Sequence, residues 1–76
     1  MELFGLRAFA RITDLMSVSV AARALDLPKS GVSRALTRLE RHVRVTLVDR
    51  SMRHLRLTDA GAHFRPHALR IVADID

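Results

Sequence analysis

Apolar and polar positions follow two different periods along this chain. Leu3, Leu6, Phe9, Ala10 and Thr13 stand three and four residues apart, the stripe of an amphipathic helix from about Leu3 to Leu15. Met16-Ser17 breaks it, and Ser17 or Ser19 is placed to cap the next helix by accepting from its free N–H groups. Val18, Ala21, Ala22 and Leu25 then share one face of a short, Ala-rich helix that can approach a neighbour closely. Asp26-Leu27-Pro28 interrupts the pattern. Proline lacks an N–H and has φ already near helical values, so a third helix starts around Pro28. Val32, Leu36, Leu39 and Val43 form its apolar stripe. Ser30, Ser33, Arg34, Thr37, Arg38 and Arg41 lie opposite, with one acid, Glu40, near the edge.

After Val43 the period changes. Val45 to Arg50 is β-branched and apolar, Ser51-Met52-Arg53 follows, and His54 to Leu57 alternates as a strand does. The pattern predicts a short two-stranded hairpin with a basic tip. Thr58 or Asp59 then caps a final helix with Ala60, Phe64, Ala68, Ile71 and Ile75 on one face. Pro66 inside it removes the bond to Ala62, so a kink or local adjustment is expected there. No stop signal ends this helix before Asp76, which suggests that the protein continues.

Composition narrows the picture. A 76-residue chain builds one small core, and with no cysteine it has neither disulfides nor thiolate metal sites to support it, leaving a partner chain as the expected support. Hydrophobic residues make up 49%, too many for a disordered tail. No apolar run is long enough to span a bilayer and the N-terminus lacks the pattern of a signal peptide, so a cytoplasmic location is expected.

Charge sharpens it further. Of the formal net charge of +5, the stretch Lys29 to Arg56 holds eight basic and two acidic residues, a local +6, while the remainder is slightly acidic. Twelve of the thirteen basic residues are Arg, whose planar fork suits phosphates and guanine edges. Such a located excess points to a polyanionic partner.

Two short helices joined by a tight turn, the second polar on its outer face, make a helix-turn-helix, and the basic hairpin makes it winged. The expected fold is mainly α: a winged helix-turn-helix with a three-helix core, a two-stranded β-hairpin wing and a C-terminal linker helix. An α-helix fits the major groove, and Arg and Lys can donate twice to guanine. A basic hairpin can lie along the backbone or enter a narrow minor groove.

The ordered set Ser17-Val18-Ser19-Val20-Ala21-Ala22-Arg23-Ala24-Leu25, Gly31-Val32-Ser33-Arg34, Leu39-Glu40 and Leu57-Thr58-Asp59-Ala60-Gly61 resembles the DNA-binding domain of LysR-type transcriptional regulators. Phe64-Arg65-Pro66-His67-Ala68 is similar to the family's next helix. The resemblance implies a bacterial transcription factor that binds double-stranded DNA as a homodimer. It places Lys29, Ser30, Ser33 and Arg34 at bases and phosphates, Thr37 and Arg38 one turn on, and Arg50, Arg53 and Arg56 on the wing. Residues 1–57 would be the DNA-binding domain and 58–76 the start of a linker or dimerisation helix. A small-molecule effector would act only through a sensing domain that lies outside this chain. Relative to the family, Met16 and Arg44 stand where glycine is usual, which predicts a rearranged or mildly strained turn at Arg44. Val18 replaces a usual Phe.

Bland alternatives exist for several residues. Arg50 could pair with Asp49 or a helix end. Arg7 and Arg11 are read as solvated surface, and Arg23 as surface or as a phosphate contact where the second helix crosses the backbone. Asp59, His63 and His67 share a helix face at four-residue spacing, but with no further ligand in view no metal site and no cofactor is expected. Phe64 is expected to cover the domain's own core. Ile71, Val72 and Ile75 lie further along and, with Phe64 and Ala68, are assigned to a dimer interface. No phosphate loop, paired acids or nucleophile–base set is present, so no enzyme is expected. The alternative function is a truncated dimerisation or interaction module acting through full-length regulator subunits.

Overall fold

The computed structural model describes residues 3–51 and 54–75. Four helices and one hairpin follow in the order α1 (Leu3–Leu15), α2 (Val18–Ala24), α3 (Lys29–Val43), β1 (Val48–Asp49), β2 (Arg56–Leu57) and α4 (Asp59–Ile75). Helix α1 is the axis, since α2, α3 and α4 all pack on it. Burial therefore reaches round α1 beyond the expected stripe, taking in Ala8 and Ile12. Leu3, within that stripe, stays exposed. Phe9, Leu6, Ile12, Leu36, Leu39, Leu47, Val32 and Val48 are the largest fully buried side chains. The one buried polar side chain among the described residues, Thr13, donates from Oγ1 to the Ala10 carbonyl at 3.0 Å.

Each helix boundary has a local cause. Ser17, in an extended conformation, caps α2 by accepting from the Val20 N–H at 3.1 Å. Asp26, at φ 57°, turns the chain left-handed after α2. The Leu27 N–H then donates to the Ala22 carbonyl at 2.9 Å and the Asp26 N–H to that of Arg23 at 3.1 Å. These are the paired bonds of a Schellman stop, which an Asp tolerates better than most residues. Pro28 stands just before α3 rather than inside its first turn, with ψ 150°. At the other end of α3, Arg44 adopts φ 62° and ψ 35°. Met16 is also left-handed, at φ 51°. Both positions expected to want glycine thus hold strained non-glycine residues.

The hairpin is shorter than the sequence pattern suggested. Only Val48↔Leu57 and Asp49↔Arg56 pair, antiparallel. Val45 and Thr46 lie outside the ladder because the chain is captured on its way in. The Leu47 and Val48 N–H groups both donate to Oε2 of Glu40, at 2.7 and 3.1 Å. Successive N–H groups of a regular strand point to opposite sides, so the ladder begins only with the second of these residues, Val48. Residues 52 and 53, including Arg53 of the expected wing, fall outside the described residues.

Helix α4 starts at a clasp. Thr58 Oγ1 accepts from the Gly61 N–H at 2.9 Å and donates to the Thr46 carbonyl at 2.6 Å. Its N–H donates to the Leu47 carbonyl at 3.0 Å. The helix runs unbroken through Pro66. It does not leave the domain where the sequence suggested. Ala68, assigned to a partner, has 0% exposure and belongs to this chain's own core. Phe64 is half-buried and meets Phe9 with ring centroids 5.8 Å apart. Ile71 and Val72 also pack on that core, because α4 lies back against α1. Ile75 alone of that set is exposed, at 53%. The core is thus continuous across the expected boundary between residues 57 and 58.

Candidate nucleic-acid interface

Helix α3 is built with two unlike faces. Val32, Ala35, Leu36 and Leu39 are buried against the bundle. Lys29, Ser30, Arg34, Arg38 and Arg41 are exposed on the other side, with Ser33 and Thr37 half-buried between them. Ser33, Arg34, Thr37, Arg38 and Arg41 line one shallow groove along the helix surface. Among the described residues, none of Lys29, Arg34, Arg38 or Arg41 is held in an ion pair. Their guanidinium and ammonium groups therefore stand free to meet an anion. Arg41 extends the expected set by one turn, and its spacing from Arg34 and Arg38 already carried that signal.

The hairpin runs back alongside α3. Leu47 and Val48 contact Glu40, and two residues further on Arg50 reaches Ser33, almost two turns nearer the start of α3. Beyond β1, the described residues Arg50, His54 and Leu55 border the same cleft as Lys29. That cleft is lined by Met16 to Ser19 from the α1–α2 turn, Lys29 and Ser33 from α3, and Asp49, Arg50, His54 and Leu55 from the hairpin. Three segments distant in sequence, each carrying hydroxyl or cationic groups, meet at one edge of the molecule.

Two wing residues are less free than the sequence implied. Arg50 Nη2 lies 2.6 Å from Glu40 Oε1, and its Nη1 donates to the Ser33 carbonyl at 3.4 Å. Neither of the partners considered for it from the sequence, Asp49 or a helix end, is used. Arg56 is exposed, faces Asp49 across the ladder and helps to hold that carboxyl below its ordinary value. The larger cause is Ser51, whose hydroxyl and N–H both donate to Asp49 Oδ1. Glu40 was legible as a lone acid on a basic helix and as part of the family-like pair Leu39-Glu40, and its anchoring role needed the fold. His63 and His67 lie together on α4 with ring centroids 6.1 Å apart, but no third ligating side chain joins them among the described residues.

Known proteins share this arrangement. The family described as "Bacterial regulatory helix-turn-helix protein, lysR family" matches residues 3–62. The transcriptional regulator GalR of Pseudomonas putida is 40% identical over 75 residues, 99% of this chain. ShiR of Corynebacterium glutamicum, also a transcriptional regulator, is 41% identical over 73 residues, or 96% of this chain. The chain spans only 19% and 25% of those two relatives. Among solved structures, the BenM DBD/benA site 1 DNA complex superposes with a TM-score of 0.91 at 29% identity, covering 100% of this chain and 85% of that one. DarR of Vibrio fischeri in complex with DNA gives 0.91 at 31% identity, covering 99% of this chain and 26% of that one. With its four helices, small antiparallel hairpin and matched residues 3–62, this chain belongs to the lysR family of bacterial regulatory helix-turn-helix proteins.

Proposed function

We propose that this chain is the DNA-binding domain of a LysR-type transcriptional regulator and binds double-stranded DNA with sequence specificity. The observation that carries the proposal is the exposed polar face of α3, rich in unpaired cations, flanked at its first turn by the hairpin. At 1.5 Å per residue the 15-residue helix is about 22 Å long, enough to cross a major groove about 12 Å wide. Lys29, Ser30, Ser33 and Arg34 enter the groove, with Arg34 the reader of guanine O6 and N7. Thr37 and Arg38 meet the flanking phosphates. Arg53 and Arg56 place the wing on the backbone or in the adjacent minor groove.

DNA complexes of the structural neighbours support this reading, as does the regulatory role named for the relatives. The function is binding and not turnover, and its setting is the bacterial cytoplasm; no described helix is long and apolar enough to cross a membrane. Dimerisation belongs to the same proposal: residues 58–75 both complete this core and offer their exposed end, at Ile75, to a second copy. A sensing domain elsewhere in the full protein would receive any effector.

Selection from a random duplex pool with this chain tests the proposal. An enriched, imperfectly palindromic site with half-sites one helical turn apart is expected. Enrichment of no sequence at all, with only salt-sensitive bulk binding, overturns it. The reading as a pure interaction module predicts that second result together with a stable dimer.

A further inference from the structure

Helix α3 carries one acid among its cations, and that acid faces a different way. Lys29, Arg34, Arg38 and Arg41 are exposed, whereas the Glu40 side chain is only 11% exposed and turned to the hairpin. Both of its carboxylate oxygens are in use. Oε2 accepts from the Leu47 and Val48 N–H groups, and Oε1 accepts from Arg50 Nη2. Arg50 in turn donates to the Ser33 carbonyl, seven residues back along α3. The hairpin is therefore tied to α3 by its backbone at the Glu40 carboxylate and by the Arg50 guanidinium, which bridges that carboxylate and the Ser33 carbonyl. Its own ladder of two residue pairs is too short to hold a direction in water.

We propose that Glu40 is the positioning residue of the DNA-binding surface: with Arg50 as its strut, it sets the angle between the wing and the recognition helix. The proposal rests on the DNA-binding reading above and adds to it. Hydrogen bonds to an ionised group are shorter and stronger than neutral ones, so a carboxylate fits this task better than an amide. Fixing the wing fixes how far its cations stand from Arg34. A protein held in that geometry reaches the groove and the backbone together only on a duplex of the right shape. Arg50 then serves the wing's position and is not itself a phosphate contact.

Charge gives the proposal a test of sign. Glu40→Gln raises the net charge by one. If Glu40 were only a surface acid near DNA, every duplex would be bound more tightly. If it positions the wing, binding to poly(dI-dC) stays level or tightens, while affinity for a duplex enriched by the wild-type chain falls by about tenfold, the effect of one or two charge-assisted bonds. Hydroxyl-radical protection flanking the site should fade while dimethyl sulfate protection in the major groove persists.

A second pair of variants stands independently should Glu40→Gln fail to fold by circular dichroism. Arg50→Lys keeps the charge but loses the fork, and should reproduce the loss of specificity. Arg50→Ala should do the same with the slope of log K against log salt unchanged. A slope reduced by about one, with Lys an adequate replacement, makes Arg50 a phosphate contact and overturns the proposal. So does a parallel tightening of both duplexes by Glu40→Gln. Failure of the wild-type chain to enrich any duplex removes the DNA reading itself, whereas the other adverse outcomes leave that reading standing.

Discussion

Gly61 shows how tightly single atoms constrain this small domain. A Cβ there would lie 2.0 Å from the Leu47 carbonyl oxygen, a backbone atom that cannot swing away. The first turn of α4 is thus seated directly on the chain entering the wing, where Thr58 clasps it. Gly61→Ala should destabilise the fold by about 1–3 kcal/mol, the range for overpacking, and a lowered urea midpoint at unchanged m-value would record it. Gly31 is the internal control. Its Cβ would find only Pro28 Cδ at an ordinary 3.7 Å, so Gly31→Ala should be neutral or slightly stabilising. Arg44 holds a left-handed conformation at φ 62° that costs an L-residue about 1–2 kcal/mol. Replacing it with Gly should raise the melting temperature. Because Arg44 lies at the end of α3 away from Lys29, specificity on an enriched duplex should not change. For Arg34→Ala the loss should be about 1–3 kcal/mol in specific affinity with relaxed base preference at one position, read by repeating the selection. Unchanged specificity would remove Arg34 from the reading role.

At the scale of elements, the two parts of the candidate surface differ in how they are held. Helix α3 is fixed by its buried stripe against α1 and α2, whereas the hairpin depends on polar contacts at its edges. One of these is made by a carboxylate whose pKa is displaced from its ordinary value. Asp49 accepts from the Ser51 hydroxyl and N–H, bonds that favour the ionised form and lower its pKa. A lowered folded-state value means that the contribution of this turn is complete above the ordinary Asp pKa of about 3.9 and is lost as pH falls through the lowered one. The Ser51 amide resonance should stay flat from neutral pH down to about pH 4 and move only below it. Asp49→Asn should show no such titration. The helices are legible from their stripes, and the expectation of a first helix from about Leu3 to Leu15 agrees with α1. The sequence pattern overstated the strands, because alternation in Val45 to Arg50 says nothing of a carboxylate arriving from a helix to take two N–H groups.

Over the whole molecule, the positive excess belongs to the stretch from Lys29 to Arg56, which forms α3 and the hairpin, in a chain of net charge +5. DNA binding should weaken linearly in log salt, as counterion release requires. Arg53→Ala should weaken it evenly across sequences and reduce the slope by about one unit. Oligomeric state is the other property at this scale. Since Phe64, Ala68, Ile71 and Val72 are largely committed to this chain's own core, the surface left for a partner is smaller than the stripe suggested. Sedimentation should therefore show a concentration-dependent monomer–dimer equilibrium, and Ile75→Asp should shift it toward monomer without unfolding the domain. A strict monomer at high concentration would argue against a dimerising role for the end of α4.

Local pattern along the chain sets the order of the elements, the two-faced third helix, a pair of candidate caps before each of the second and last helices, and the concentration of positive charge between Lys29 and Arg56. These are local properties: periodicity, capping and composition depend on residues a few positions apart. Tertiary packing chose Ser17 and Thr58 between those candidates and settled what the elements do to one another. It turned α4 back onto α1 and drew Ala68 into the core, reached Ile12 from a side no stripe had marked, and shortened the hairpin. It also gave the lone acid of the recognition helix three partners between seven and ten residues away. Such contacts follow from how helices pack and where a carboxylate comes to rest. No periodicity along the chain records that.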